Sequence, residues 1–399
     1  MTRSRHRIVG RRIGLKALLS LVGAASGCVS GDERAAMPTV SIDTIGGVVH
    51  VSNDGVPERW VAHPSFALGS ADGDVQFGRI MSLAADADGL VYVADGIESR
   101  VLLFDSLGNL VTMFGRQGAG PGEFRDLYSV ALLGDTVVTL DPRGARLGLF
   151  DKRGRWLGLW RHQALTGDVR LEAVSDDEIY NPIVIPRDRS IDRAYVRFTH
   201  TGPSDTIVLP ARDERAAQSG VTCMGSDGGI HFRGNPFAGR EIIRAAPRGH
   251  LLSMWTADYR LAVLNATLDT VRVIERVRPP TSLPDGVWET YQDEFREWFD
   301  GIPSPQCQGR SEPERPTSYP AAREVVLDPT GRVWVETYTN EGFAFDVFDL
   351  EGRLLATLSA PERDERVRPF VRGERLYVVA ADSLGVQRVE AFRVTQAGR

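Results

Sequence analysis

An internal repeat constrains this chain more than any other feature. Asp95-Gly96-Ile97-Glu98-Ser99-Arg100-Val101-Leu102-Leu103-Phe104-Asp105 returns 46 residues later as Asp141-Pro142-Arg143-Gly144-Ala145-Arg146-Leu147-Gly148-Leu149-Phe150-Asp151. Asp, Arg, Phe and Asp keep their spacing. A third copy lies towards the C-terminus. Asp328-Pro329-Thr330-Gly331-Arg332-Val333-Trp334-Val335 matches Asp86-Ala87-Asp88-Gly89-Leu90-Val91-Tyr92-Val93, and Phe348-Asp349-Leu350-Glu351-Gly352 matches Phe104-Asp105-Ser106-Leu107-Gly108. A repeat of about 40–50 residues marks one supersecondary unit that must stack on its neighbours to bury its faces.

Residues 77–124 spell out one whole unit. Strands are predicted at Ile80–Asp86, Leu90–Asp95, Arg100–Asp105 and Leu110–Phe114, with turns at Asp88-Gly89 and Leu107-Gly108-Asn109. Short apolar runs with Asp-Gly and Gly-Asn punctuation are the hairpin signal. Gly115–Phe124 then links to the next unit. Weaker copies fall at Arg248–Leu268 and Arg375–Val394, and a divergent one at Leu171–Leu209. The expected fold is all-β: a six-bladed β-propeller of four-stranded antiparallel blades, with one inserted amphipathic helix. A closed ring of blades leaves only short, protected edges. Val48-Val49-His50-Val51 is an orphan strand ahead of the first blade and is predicted to complete the last one.

These residues resemble the NHL-repeat family and related bacterial six-bladed propellers. The resemblance rests on Gly89–Asp95, Arg100–Asp105, Gly108 and the Gly115–Phe124 loop, and it spans roughly residues 45–395. It implies a fold and leaves activity open, because family members include scaffolds, RNA binders, lyases and sensor domains.

The N-terminus reads as an address. Arg3, Arg5, Arg7, Arg11, Arg12 and Lys16 form a basic stretch without acids, and Ala17–Gly27 is apolar but too short to span a bilayer. Arg11-Arg12-Ile13-Gly14-Leu15-Lys16 resembles a twin-arginine export signal. It departs from that pattern at Gly14, which leaves a general secretory signal open. Ala25-Ser26-Gly27-Cys28 resembles a lipobox, with Ala25 where Leu is usual. Residues 1–27 are therefore read as a signal peptide, Cys28 as a lipidation site and 28–44 as a flexible tether to a single propeller at 45–399. The alternatives are cleavage near Ala25 to release a free protein, or an uncleaved anchor. The expected location is extracytoplasmic, as a periplasmic or membrane-anchored lipoprotein. The whole chain carries a formal net charge of −6. Losing the six basic residues of 1–27 makes it more acidic still, which disfavours nucleic acid.

If Cys28 carries lipid, Cys223 and Cys307 remain as a pair, and an oxidising compartment favours a disulfide between them. Two unpaired thiols are the alternative. Both lie in long insertions, at about 211–240 and 282–320. Ser282–Gly301 reads as a helix with Asp285 as N-cap and Gly301 just past its end. Trp288, Tyr291, Phe295, Trp298 and Phe299 fall on one stripe. That stripe either packs on the disc, forms a lid over the channel, or docks a partner. A disulfide would put both insertions on one face, the ligand-face candidate.

Chemistry is sparsely marked. The seven histidines show no metal-ligand spacing, although a propeller can gather ligands from separate blades around its axis. No Gly-x-Ser-x-Gly elbow occurs, no phosphate loop precedes a helix, and the only lysines are Lys16 and Lys152. The Asp95/Arg100 and Asp141/Arg146 pairs are read as bridges fixing each hairpin. Arg116, Arg143, His231, Trp288 and Trp298 are the ligand-face candidates. No catalytic residue, metal ligand or cofactor is assigned. The reading is a non-catalytic binding or scaffold module, a monomer contacting an envelope protein, peptide or glycan. The alternative is a metal-assisted hydrolase or lyase with its site on the axis.

Overall fold

The computed structural model describes residues 39–69, 75–161, 170–187, 191–211, 215, 220–308 and 312–398. Residues 1–38, and with them the expected signal peptide, Cys28 and most of the expected tether, lie outside the described residues. The described residues belong to one compact unit.

The local building block is a hairpin held by an Asp or Asn side chain. In the first repeat, Asp105 accepts the backbone N–H groups of Leu107 and Asn109 at 2.9 Å each, while Gly108 takes φ +90°. Asp151 repeats the turn with Arg153 and Arg155, and Asn265 with Thr267 and Asp269. The position of Gly108 is filled by Leu268 in the latter copy, at φ +67°, a backbone state that favours glycine. This Asx turn reverses the third strand into the fourth in the first, second and fourth meanders.

These hairpins build an all-β structure of antiparallel four-stranded meanders with, among the described residues, a single long helix. The first meander comprises Ile80–Ala85, Val91–Asp95, Arg100–Phe104 and Leu110–Phe114. The second comprises Ser129–Leu133, Thr136–Asp141, Arg146–Asp151 and Trp156–Arg161, and the third Glu172–Ser175, Glu178–Pro186, Ile191–Thr199 and Gly202–Val208. The fourth contains Glu241–Ala246, His250–Trp255, Arg260–Leu264 and Thr270–Arg276, and the fifth Glu324–Asp328, Arg332–Thr339, Gly342–Phe348 and Leu354–Ser359. The last contributes only Phe370–Arg372, Arg375–Ala381 and Gln387–Gln396 from the C-terminal end.

Each first strand touches the first strand of the next meander, and Phe370–Arg372 touches Ile80–Ala85. Apolar clusters fill the gaps between successive meanders. One, around Tyr92, Phe124 and Phe150, joins the first to the second. Another, around Leu68, Phe104, Tyr377 and Val389, joins the last to the first. Burial of such faces between neighbours is the main stabilising term.

The orphan strand does not go where the sequence placed it. Val48–Asp54 pairs with Thr39–Ile45 and, in parallel, with Thr270–Arg276 of the fourth meander. The strand that completes the last meander is Glu58–Leu68, antiparallel to Gln387–Gln396. Asn53 holds the earlier strand in place by donating to the Gly352 carbonyl and accepting from the Leu354 N–H.

The two insertions form one small body. Gly220–Met224 lies between Ile230–Gly234 and Gln306–Gln308 in a three-stranded sheet. Cys223 stands opposite Cys307, and the two are joined in a disulfide. The helix runs Asp285–Asp300. Pro284, not Asp285, occupies the N-cap position, and no side chain caps the end. Asp285 lies inside the first turn and pairs with Arg315. Trp288, Tyr291 and Phe295 are buried against Val221, Cys223, Leu283 and Ile302, so the stripe packs on the small sheet rather than on the meanders.

Candidate functional site

Arg240 donates to the Arg323 carbonyl and Arg244 to the Val325 carbonyl, so adjacent first strands run side by side in one direction. In such meanders the entry to the first strand, the second-to-third turn and the exit of the fourth strand share one end. That end carries both insertions, because each joins a fourth strand to the next first strand. It also carries an arginine ahead of every first strand: Arg79, Arg125, Arg170, Arg240, Arg323 and Arg368.

The entry backbone is fixed by the side chain that ends the second strand. Asp95 accepts from the N–H groups of Gly78 and Arg79 at 3.1 and 3.0 Å. Asp141 accepts from Arg125 and Asp126 at 3.0 and 3.1 Å, and Thr256 Oγ1 from Arg240 at 2.8 Å. The Asp95–Arg100 and Asp141–Arg146 pairs, 3.3 and 3.1 Å, do more than bridge a turn. Arg146 also donates to the carbonyls of Ala119 and Glu123, tying the hairpin to the incoming connector. The backbone at this end is thus pre-organised before any ligand arrives.

A cavity of about 90 Å³ lies along the first strands and is lined by Arg170, Glu172, Arg244 and Arg368 among apolar neighbours such as Val130, Val325 and Phe370. Glu324 receives Arg244 at 2.5 Å, with Arg240 and Arg368 at 3.9 Å. Glu172 takes Arg368 at 3.2 Å, the Tyr195 hydroxyl at 3.0 Å and the Ala245 N–H at 2.8 Å. Burial pushes Glu324 up, but the guanidiniums of Arg244, Arg368 and Arg240 overturn this and hold its carboxyl well below the usual range. Burial, reinforced by Glu172, keeps the Tyr195 phenol protonated far above its ordinary value. Beside this group, Arg323 and Arg363 bind Glu336, and Arg323 also meets Glu365. Five guanidiniums therefore face four carboxylates. Arg79 and Arg125 add two exposed cations whose side chains have no partner among the described residues. The mouth is cationic on a chain whose net charge is negative.

Acid should loosen this end. Asp364 is held down to about 2, first by its hydrogen bond from Arg366, against an ordinary 3.8. A depressed carboxyl stabilises the fold fully above its unfolded value of about 4 and loses that contribution as pH falls through about 2. Asp364→Asn should therefore flatten the fall of the urea midpoint between about pH 4 and pH 2. A slope identical to that of the parent would contradict this assignment.

Of the residues singled out from sequence, Arg116 pairs with Glu123 at 2.7 Å in the first connector, and Arg143 with Asp126 at 3.8 Å. Both arginines are largely exposed at the cationic end. His231 stands opposite Cys223, its Nε2 buried without a hydrogen-bond partner. Trp288 is only 5 % exposed and spends its ring on Phe237 and Tyr291, and Trp298 packs partly buried on Phe295. The structure brings Arg116 and Arg143 to the same end as the insertions and turns Trp288 inward. The arginine ahead of each first strand escaped the sequence reading. Its spacing to the strand varies: Arg79 adjoins Ile80, whereas Arg125 stands well ahead of Ser129. Among the described residues, no group of three or more His, Cys, Asp or Glu is placed to hold a metal ion. Nor is any described helix long and apolar enough to cross a membrane.

No family model matches the chain, and no curated protein matches it. Solved structures do. A putative exported protein of Bacteroides fragilis aligns at 10% identity over 87% of this chain and 99% of its own, with a TM-score of 0.47. A member of the DUF4221 family from Bacteroides vulgatus aligns at 11% identity over 86% and 98%, TM-score 0.43. The PQQ-bound aldose sugar dehydrogenase of Streptomyces coelicolor aligns at 12% identity over 86% and 100%, TM-score 0.43.

Proposed function

We propose that this chain is a six-bladed β-propeller of the extracytoplasmic compartment, exported through residues 1–27 and held at a membrane by lipid on Cys28. It acts as a binding module, without catalysis, for an envelope protein, peptide or glycan that presents negative charge. The cyclic contacts of the first strands, and the apolar cluster joining the last meander to the first, support the ring. One observation carries the binding reading: an arginine precedes every first strand, and these arginines gather at the end that also bears both insertions. Cations clustered at a mouth steer anionic partners and set the orientation of docking.

The test uses the two arginines that the fold does not need. Arg79→Glu/Arg125→Glu reverses two exposed charges that have no partner among the described residues, so folding should be unchanged. Binding of a fluorescent oligoglutamate peptide at low salt should weaken by about tenfold or more, and parent binding should fall as salt is added. Equal affinity of parent and variant would overturn the assignment of this end.

A further inference from the structure

A second hollow lies at the same end, between the fourth and fifth meanders, and its chemistry differs from that of the mouth. It encloses about 280 Å³, at the small end of ligand pockets. Its walls are Tyr259, Tyr319, Tyr338 and the prolines Pro279, Pro280 and Pro320. Tyr319 and Tyr338 stack at 4.2 Å with their planes 10° apart, which fixes both rings. The frame is tied by backbone: the Tyr319 N–H donates to the Thr281 carbonyl, and Thr281 Oγ1 donates to the Tyr338 carbonyl. The prolines add rigidity of their own.

Two arginines, Arg276 and Arg278, enter this space, whose rim also carries Thr281 and Ser318. Both are anchored on Asp346, which is fully buried. The Tyr259 hydroxyl donates to Asp346 at 2.7 Å and Thr357 Oγ1 at 3.1 Å. Arg278 also donates to Thr337 Oγ1. Asp346 thus accepts three hydrogen bonds, from Tyr259, Thr357 and Arg278, and pairs with Arg276 as well. Two guanidiniums against one carboxylate leave a surplus positive charge, held in place and partly removed from water. A charge in such a setting attracts a counter-ion far more strongly than one on the open surface. Guanidiniums match carboxylates in shape, and the aromatic and proline walls suit an apolar or ring-shaped body.

We infer that this hollow is a binding site for a small organic carboxylate with an apolar or ring-shaped body. The carboxylate would meet Arg276 and Arg278, and the body would lie between Tyr259, Tyr319, Tyr338 and the prolines. Such a group is presented by a free small acid or by the C-terminus of a peptide. The inference does not rest on the cationic mouth, since none of the arginines there lines this hollow.

The experiment is calorimetric titration of the full chain with N-acetyl-phenylalanine and with its uncharged amide. The acid should bind with a Kd of about 1 mM or tighter, and the amide at least about tenfold more weakly. A peptide ending in the same residue with a free carboxylate separates the sources. Tighter binding of the peptide than of the acid identifies a chain terminus, and equal or weaker binding identifies a free small acid. Arg278→Gln should abolish discrimination between acid and amide. Should that variant fold poorly, Val277→Glu keeps the proposal open to refutation. Val277 is 84 % exposed at the rim, so the change leaves the fold intact and sets a like charge beside the entering carboxylate. It should weaken the acid by several-fold and leave the amide unchanged. Arg79→Glu/Arg125→Glu should leave the acid's affinity as it was, which keeps this test separate from that of the mouth. Equal binding of acid and amide by the parent, or no binding of either at about 10 mM, would overturn the inference.

Discussion

Glu336→Ala is expected to destabilise the fold by about 3–5 kcal/mol, the largest effect of any single change considered for this chain. Glu336 is fully buried on the second strand of the fifth meander and accepts two hydrogen bonds from Arg363, at 3.0 and 2.6 Å. Arg323 stands 3.4 Å away. The two arginine side chains are 4 % and 7 % exposed. Burial pulls the Arg363 guanidinium down, and Glu336 reverses this and holds it above its ordinary value. Removing the carboxylate strands the Arg363 guanidinium in the interior and leaves Arg323 with Glu365 alone. Arg363 also donates to the Val367 carbonyl, so the connector into Phe370–Arg372 would lose its anchor. Urea unfolding at neutral pH measures the loss, and Glu336→Gln should cost distinctly less because an acceptor remains. A loss of under about 1 kcal/mol would mean that water already reaches this pair.

The second large effect should be local. Cys223 and Cys307 are separated by 84 residues, and losing a bridge across a loop of that length costs about 4.6 kcal/mol in the chain-entropy model. The cluster they serve contains Val221, Trp288, Tyr291, Phe295 and Ile302, and it is separate from the clusters between meanders. Cys223→Ser/Cys307→Ser should therefore raise hydrogen exchange in Gly220–Met224, Ile230–Gly234 and Asp285–Asp300. Val91–Asp95 and Arg332–Thr339 should keep their protection. Equal loss in those central strands would show that insertions and meanders unfold as one unit. The parent's exposed end needs no such change: Trp298, only partly buried, can be replaced by Ala at smaller cost than buried Trp288.

The first meander was legible in sequence almost residue by residue. The run Leu110–Phe114 is a strand with those limits, and Arg100–Asp105 and Leu90–Asp95 differ by one residue each. This follows from chemistry that repeats: an Asx turn, a glycine at positive φ and apolar runs between them. The strand that completes the last meander was not legible. Glu58–Leu68 contains Pro64, which argues against a strand when read from sequence. In the structure Pro64 sits where the register shifts beside Phe392, so its missing N–H costs no regular ladder bond. The helix was visible from its aromatic stripe, but the stripe alone could not say which surface would cover it. The small sheet that does so is built from two segments far apart in sequence, Gly220–Met224 and Gln306–Gln308. The arginine-bearing end was the least legible part. Its residues are related through neighbouring strands rather than through spacing along the chain.

The pairing of Glu58–Leu68 with Gln387–Gln396 sets an order on synthesis. Leu68 leaves the ribosome long before its partner Val389 exists. Until then, an eleven-residue strand waits with its backbone groups unpaired. The meanders between can form from neighbouring segments as they emerge, but the seam cannot close before the last residues are free. Contacts of such separation slow folding and lengthen exposure to aggregation. A chain stopped before Gln387 would therefore lose more than that strand: the other meanders could still form, but Glu58–Leu68 would have no antiparallel partner to lock them.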